Sequence, residues 1–141
     1  MKTLNIEIFD HDSEVEVAHK INTMELHNWM SHLTYIHKEL NNLLEFYRSQ
    51  TVEKRIELEK IYEAFEIKQV DNGVILRHLL EFKESRNKVS ECEDMQCDMS
   101  FIQEHEKCRR MYLYHIEKYR KIKDLFFKEL QGKTTSKLIT G

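Results

Sequence analysis

Apolar residues recur along this chain with the period of an α-helix, in three long blocks. In the first block Leu26, Trp29, Leu33, Ile36, Leu40, Leu43 and Tyr47 are spaced alternately three and four apart, which aligns them as a coiled-coil-like seam on one helical face. Met30, His37 and Leu44 widen that seam, as expected of a helix packed against two others. Ser13 followed by Glu16 makes a capping box and predicts the helix start, with Asn22 and Glu25 as a later alternative. Thr51 is the expected N-cap of the second block.

The second block carries two stripes, one of Leu58, Ile61, Tyr62 and Phe65 and a rotated one of Ile75, Leu79, Phe82 and Val89. Asp71-Asn72-Gly73 lies between them and is the strongest breaker in the chain. A turn there gives four helices of about 37, 19, 20 and 35 residues, and a bend gives three of about 37, 42 and 35, whose matched lengths leave less seam exposed. The predicted fold is therefore an all-α, up-down-up bundle of three long helices with a bent middle helix. The third helix is expected from about Cys97 to Gln131, with Gly132 as its stop. Its stripe is Phe101, His105, Cys108, Tyr112, His115, Tyr119, Ile122, Phe126 and Leu130. Residues 1–12 read as an N-terminal tail, residues 13–131 as the bundle and residues 132–141 as a C-terminal tail. Leu4, Ile6 and Ile8 alternate with polar residues within the first tail, a pattern compatible with a short strand.

Composition narrows the choice further. Three glycines and no proline among 141 residues exclude folds built on tight hairpins, phosphate-cradling loops or dinucleotide-binding turns. No apolar run has the length of a signal peptide or a membrane span, so a cytoplasmic protein with reduced Cys92, Cys97 and Cys108 is expected, although the Cys-x4-Cys pair has the spacing of a small closed loop. The net charge of −3 is unevenly spread. Residues 1–50 hold eight acidic and four basic residues, whereas residues 96–141 hold six and ten. Packing of oppositely charged helices, within one bundle or between subunits, would use that asymmetry. Nucleic acid is disfavoured as a partner, because the aromatic residues among the third helix's charges belong to its seam.

Eight histidines call for a test against metal-ligand spacings. Glu16-Val17-Ala18-His19 is the one Glu-x-x-His match, where a di-iron bundle needs two. His27, His32 and His37 step by five residues and fan outward around a helix. His105 and Cys108 share the seam of the third helix. With short loops, Cys108 stands level with about residue 82 on the second helix and about residue 19 on the first. The candidate zinc set is then Glu16, His19, His105 and Cys108. Weighing against it, seam histidines commonly satisfy a ring nitrogen within a bundle, and a buried cysteine is usually a small core residue. Catalysis by Cys108 is disfavoured as well, since the loops are too few and short to shape an oxyanion hole.

Three stretches resemble a group of small, uncharacterised all-helical bundle proteins of bacteria. They are Trp29, Leu33, Tyr35, Glu39 and Leu40; Phe65 with Leu76-Arg77-His78; and His105, Glu117, Tyr119, Ile122, Lys123, Phe126 and Leu130. The resemblance implies long helices and no assigned chemistry. Ile56, Ile67, Val70 and Val74 face away from the Leu58 and Phe65 stripe, and a second subunit is their simplest cover. The functional expectation is a non-enzymatic, self-associating scaffold or protein-binding module, with a dimer as its form; the alternative is a metal-binding bundle.

Overall fold

The computed structural model describes the backbone of residues 4–140 and the side chains of residues 4–131. Three α-helices account for most of it: α1 (Glu14–Arg48), α2 (Val52–Ser85) and α3 (Met95–Thr140), with a 3-10 helix, Arg86–Glu91, between the last two. Each α-helix begins on a side chain that satisfies an otherwise orphaned amide. Glu16 N–H donates to Ser13 Oγ at 3.1 Å, Lys54 N–H to Thr51 Oγ1 at 3.2 Å, and Cys97 N–H to Asp94 Oδ1 at 2.8 Å. No strand forms among the described N-terminal residues, where Asp12 N–H closes a turn onto the Phe9 carbonyl. No helix among the described residues is long and apolar enough to cross a membrane.

The chain divides into two compact units, each made from parts of all three helices. The first joins the described residues up to Tyr35 with Val74–Tyr112, and the second joins Ile36–Gly73 with the described residues from Leu113 onward. In the first, Leu26, Trp29, Met30, Leu33, Leu79, Phe82 and Cys108 are buried. In the second, Ile36, Leu40, Leu44, Leu58, Phe65, Ile116, Tyr119 and Phe126 are buried, and Phe65 meets the Phe126 ring edge-on. Helix direction follows from the contacts. Glu25 bonds His105 and His32 bonds Tyr112 in the first unit, and Glu39 bonds Tyr119 in the second, each pair 80 residues apart, so α1 and α3 run parallel. Within the second unit Tyr47 stacks on Tyr62 and Asn41 bonds Gln69, so α2 runs antiparallel to α1 there.

The three-helix reading holds, and the breaker at Asp71-Asn72-Gly73 lies inside an unbroken α2. Asn72 is fully buried and accepts a hydrogen bond from His115 Nε2 at 2.9 Å, while Gly73 is exposed and has no positive φ. A turn-forming tripeptide therefore serves as a polar core position beside a gap in the helix surface.

Four expectations need correction. α3 continues through Gly132 to Thr140, since a glycine inside a helix costs only about 1 kcal/mol relative to alanine and does not end one by itself. The second helical block closes at Ser85 and tightens into the 3-10 segment. Cys92 and Cys97 form a disulfide, because the end of that segment and the first turn of α3 bring their Cα atoms to 5.5 Å, within bonding range. His37 is exposed rather than part of the seam, within 3.4 Å of the Asn41 amide.

Candidate functional site

The four residues expected to form a metal site take up other partners. Glu16 is exposed and belongs to the α1 cap, where its carboxylate accepts from Ser13 Oγ. His19 Nε2 lies 2.8 Å from Asp98 Oδ1 at the start of α3. His105 Nε2 donates to Glu25 Oε1 at 2.7 Å, and Cys108 lies beside His78 and Glu104. The cause is register. Level positions on α1 and α3 differ by 80 residues, whereas pairing residue 19 with Cys108 requires a difference of 89. The nine-residue error is about 14 Å of helix at roughly 1.5 Å per residue.

The register that results builds a polar network in the first unit. Arg109 Nε donates to Glu25 Oε2 at 3.2 Å, and its other nitrogens reach Glu25 Oε1 and Glu106. The Trp29 ring stacks on His105 with centroids 4.8 Å apart, and the Arg109 guanidinium lies over the same indole. Burial on its own raises the Glu25 carboxyl, but hydrogen bonds from Arg109 and His105, with their charges, bring it below its usual value. His105 is drawn below its usual value by burial, against the opposing pull of Glu25. The ring is thus neutral at pH 7 and donates through Nε2, leaving a buried Nδ1 without a hydrogen-bond partner.

A different trio has the spacing of a ligand set. One donor atom each from His78 on α2 and from Glu104 and Cys108 on α3 lie within 4.8 Å of one another, with His78 Nε2 and Glu104 Oε1 3.5 Å apart. Among the described residues this is the group of histidine, cysteine and carboxylate donors that converges. Glu104 and Cys108 are four apart and share a helix face, so the pair was readable in the sequence; His78 was not, because its level opposite Cys108 depends on the inter-helix register. Cys108 is the floor and is fully buried, while His78 and Glu104 form a half-exposed rim. Burial pushes the Cys108 thiol up to about 11, and the Glu104 charge adds to the shift, so it is an inert thiol at neutral pH.

α2 presents the other candidate surface. Ile56, Ile67, Val70 and Val74 are 68%, 61%, 66% and 55% exposed, and Ile67, Val70 and Val74 follow one another at three-four spacing on one face. No family model matches the chain, and no curated protein or solved structure matches it either.

Proposed function

We propose that this chain is a non-enzymatic helical bundle that works as a homodimer, formed by antiparallel pairing of α2 with the α2 of a second copy. One observation carries the reading: the self-complementary stripe Lys60, Glu63, Ile67, Val70, Val74, Arg77 and Glu81. These seven alternate three and four apart along α2, and all are exposed. A two-fold axis beside Val70 sets Ile67 against the second copy's Val74, Glu63 against its Arg77, and Lys60 against its Glu81. Among the described residues none of those four charged side chains has an ion pair. Gly73 supports the same contact. A Cβ there meets nothing within 4 Å and its φ is not positive, so neither a turn nor intramolecular packing requires glycine. The absent Cβ leaves room for a second copy's backbone to approach closely.

The test is sedimentation equilibrium. Val70→Lys combined with Val74→Lys is expected to yield a folded monomer by circular dichroism. Glu63→Arg and Arg77→Glu each weaken the dimer, and together they restore it. An unchanged dimer in the double lysine variant, or no restoration by the charge swap, overturns the reading.

A second reading, metal binding, draws support from His78, Glu104 and Cys108. Nitrogen, oxygen and sulfur donors from two helices suit zinc, with one position left for water, and the metal would supply the charge that turns the Cys108 thiol into thiolate. Cobalt titration is the direct check. A thiolate-to-cobalt absorption band lost in Cys108→Ser supports the site, and its absence from the unaltered chain refutes it.

A further inference from the structure

The first unit contains an unbalanced cation. Arg86, at the start of the 3-10 segment, is only 6% exposed, yet no carboxylate among the described residues lies within ion-pair distance of it. Its Nη2 donates to the His19 carbonyl at 2.8 Å and to Thr23 Oγ1 at 2.5 Å, which ties the segment to α1. Nη1 is buried with no hydrogen-bond partner. The guanidinium also lies 5.8 Å from the Phe82 ring centroid, a contact that offsets only part of the cost of burying charge. Pinning α1 explains Nη2. It leaves the charge and Nη1 unexplained, and buried arginines are normally paired.

Arg86 lines a cavity of about 390 Å³, in the range of small-molecule sites. Lys83, one turn earlier on α2, lines it too, as does His27. Leu4 and Leu26 supply apolar wall, and no aspartate or glutamate is among the lining residues. Lys83 has no ion pair among the described residues. Two cations and an imidazole thus converge on a partly apolar space that holds no negative group among the described residues.

We infer that this cavity binds a small organic oxyanion, a carboxylate or phosphate carried on a short apolar body, with Arg86 and Lys83 as its counter-charges. The oxyanion balances the buried guanidinium, and the apolar body covers Leu4 and Leu26. Asn87 and Thr23 add polar groups at the same wall. This site is independent of the α2 stripe and of the metal reading, since none of their residues lines it.

Isothermal titration at constant ionic strength, using hexanoate, acetate, inorganic phosphate and chloride as probes, tests the site. Hexanoate is expected to bind saturably at one site per chain and about tenfold more tightly than acetate, because several methylenes leave water. Measurable phosphate binding with no gain for hexanoate would assign the oxyanion but overturn the apolar body. Arg86→Met is expected to weaken binding about thirtyfold or more, as for a desolvated charge partner. Lys83 is exposed, so Lys83→Met leaves the fold intact and provides the check if Arg86→Met fails to fold; it is expected to weaken binding about three- to fivefold. Saturation by none of the probes, equal heats from chloride, or binding unchanged by Lys83→Met overturns the inference.

Discussion

Replacing Glu25 by alanine removes the acceptor shared by His105 and Arg109. The His105 side chain is completely buried and its Nδ1 already lacks a partner, so losing the 2.7 Å bond at Nε2 strands the ring's second nitrogen as well. Such a stranded buried donor costs about 1–3 kcal/mol. Arg109 retains 29% side-chain exposure and can turn to water or Glu106, which limits its share to roughly 0.5–1 kcal/mol. Glu25→Ala is therefore expected to destabilise the chain by about 1.5–4 kcal/mol, and Glu25→Gln, which keeps an acceptor but not the charge, by about 1–2 kcal/mol. Urea unfolding at pH 7 measures both as midpoint shifts at constant slope. The sign of the pH dependence follows from the two shifts. Glu25, held below its usual value in the folded state, contributes stability that is present above its unfolded pKa and lost as pH falls through the lower folded one. His105, also depressed, loses its contribution as pH falls from its unfolded value of 6.5 toward the folded one, since the unfolded chain takes up that proton first. Stability accordingly declines from about pH 6.5 downward. The gap between the parent and Glu25→Gln closes in acid. A loss below about 0.5 kcal/mol for Glu25→Ala, or equal losses for alanine and glutamine, would refute the account of the network.

Reducing the Cys92–Cys97 bond, or changing both residues to serine, is expected to lower stability by about 2 kcal/mol, the chain-entropy value for so short a loop, measured by urea unfolding with and without reductant. Asn72→Leu deprives buried His115 of its 2.9 Å acceptor and is expected to cost about 1–3 kcal/mol by thermal unfolding, whereas a neutral result would mean that His115 is satisfied elsewhere. Gly73→Ala is expected to stabilise the folded monomer by about 0.5–1 kcal/mol, because alanine favours helix and its Cβ meets nothing, while weakening self-association in sedimentation. Val70→Lys alone removes roughly 1.5 kcal/mol of apolar burial per copy, about 3 kcal/mol for a symmetric pair, and is expected to weaken the dimer about 100-fold.

The helical seam was legible because its cause is local. Leu26, Trp29, Leu33, Ile36 and Leu40 are all buried as their three-four spacing requires, and Ser13 and Thr51 cap the helices at the positions their side-chain chemistry favours. Charge asymmetry was legible too: Glu25 with Arg109 and Glu39 with Lys123 join the acidic first helix to the basic third. The ligand cluster was not, because grouping residues on different helices requires their relative level. The error lies between α1 and α2: Thr23 meets Arg86, so Phe82 stands level with about residue 27 and not with residue 19, and the short connection after Arg48 leaves no periodic trace of that level. Arg86 was missed although the three-four spacing sets it on the second stripe between Phe82 and Val89, because an arginine reads as solvated until the fold buries it.

The 80-residue relation between α1 and α3 has a consequence for how the chain finds its alignment. Glu25 and His32 are seven apart, as are His105 and Tyr112, so the first unit's polar rungs fall at heptad intervals. Greasy side chains tolerate sliding, since leucine packs nearly as well against the next leucine. Rungs do not. A slip of one turn would carry His105 away from its carboxylate and leave the buried ring without that acceptor. The seam supplies adhesion that is indifferent to position, and the rungs act as a vernier that admits one setting.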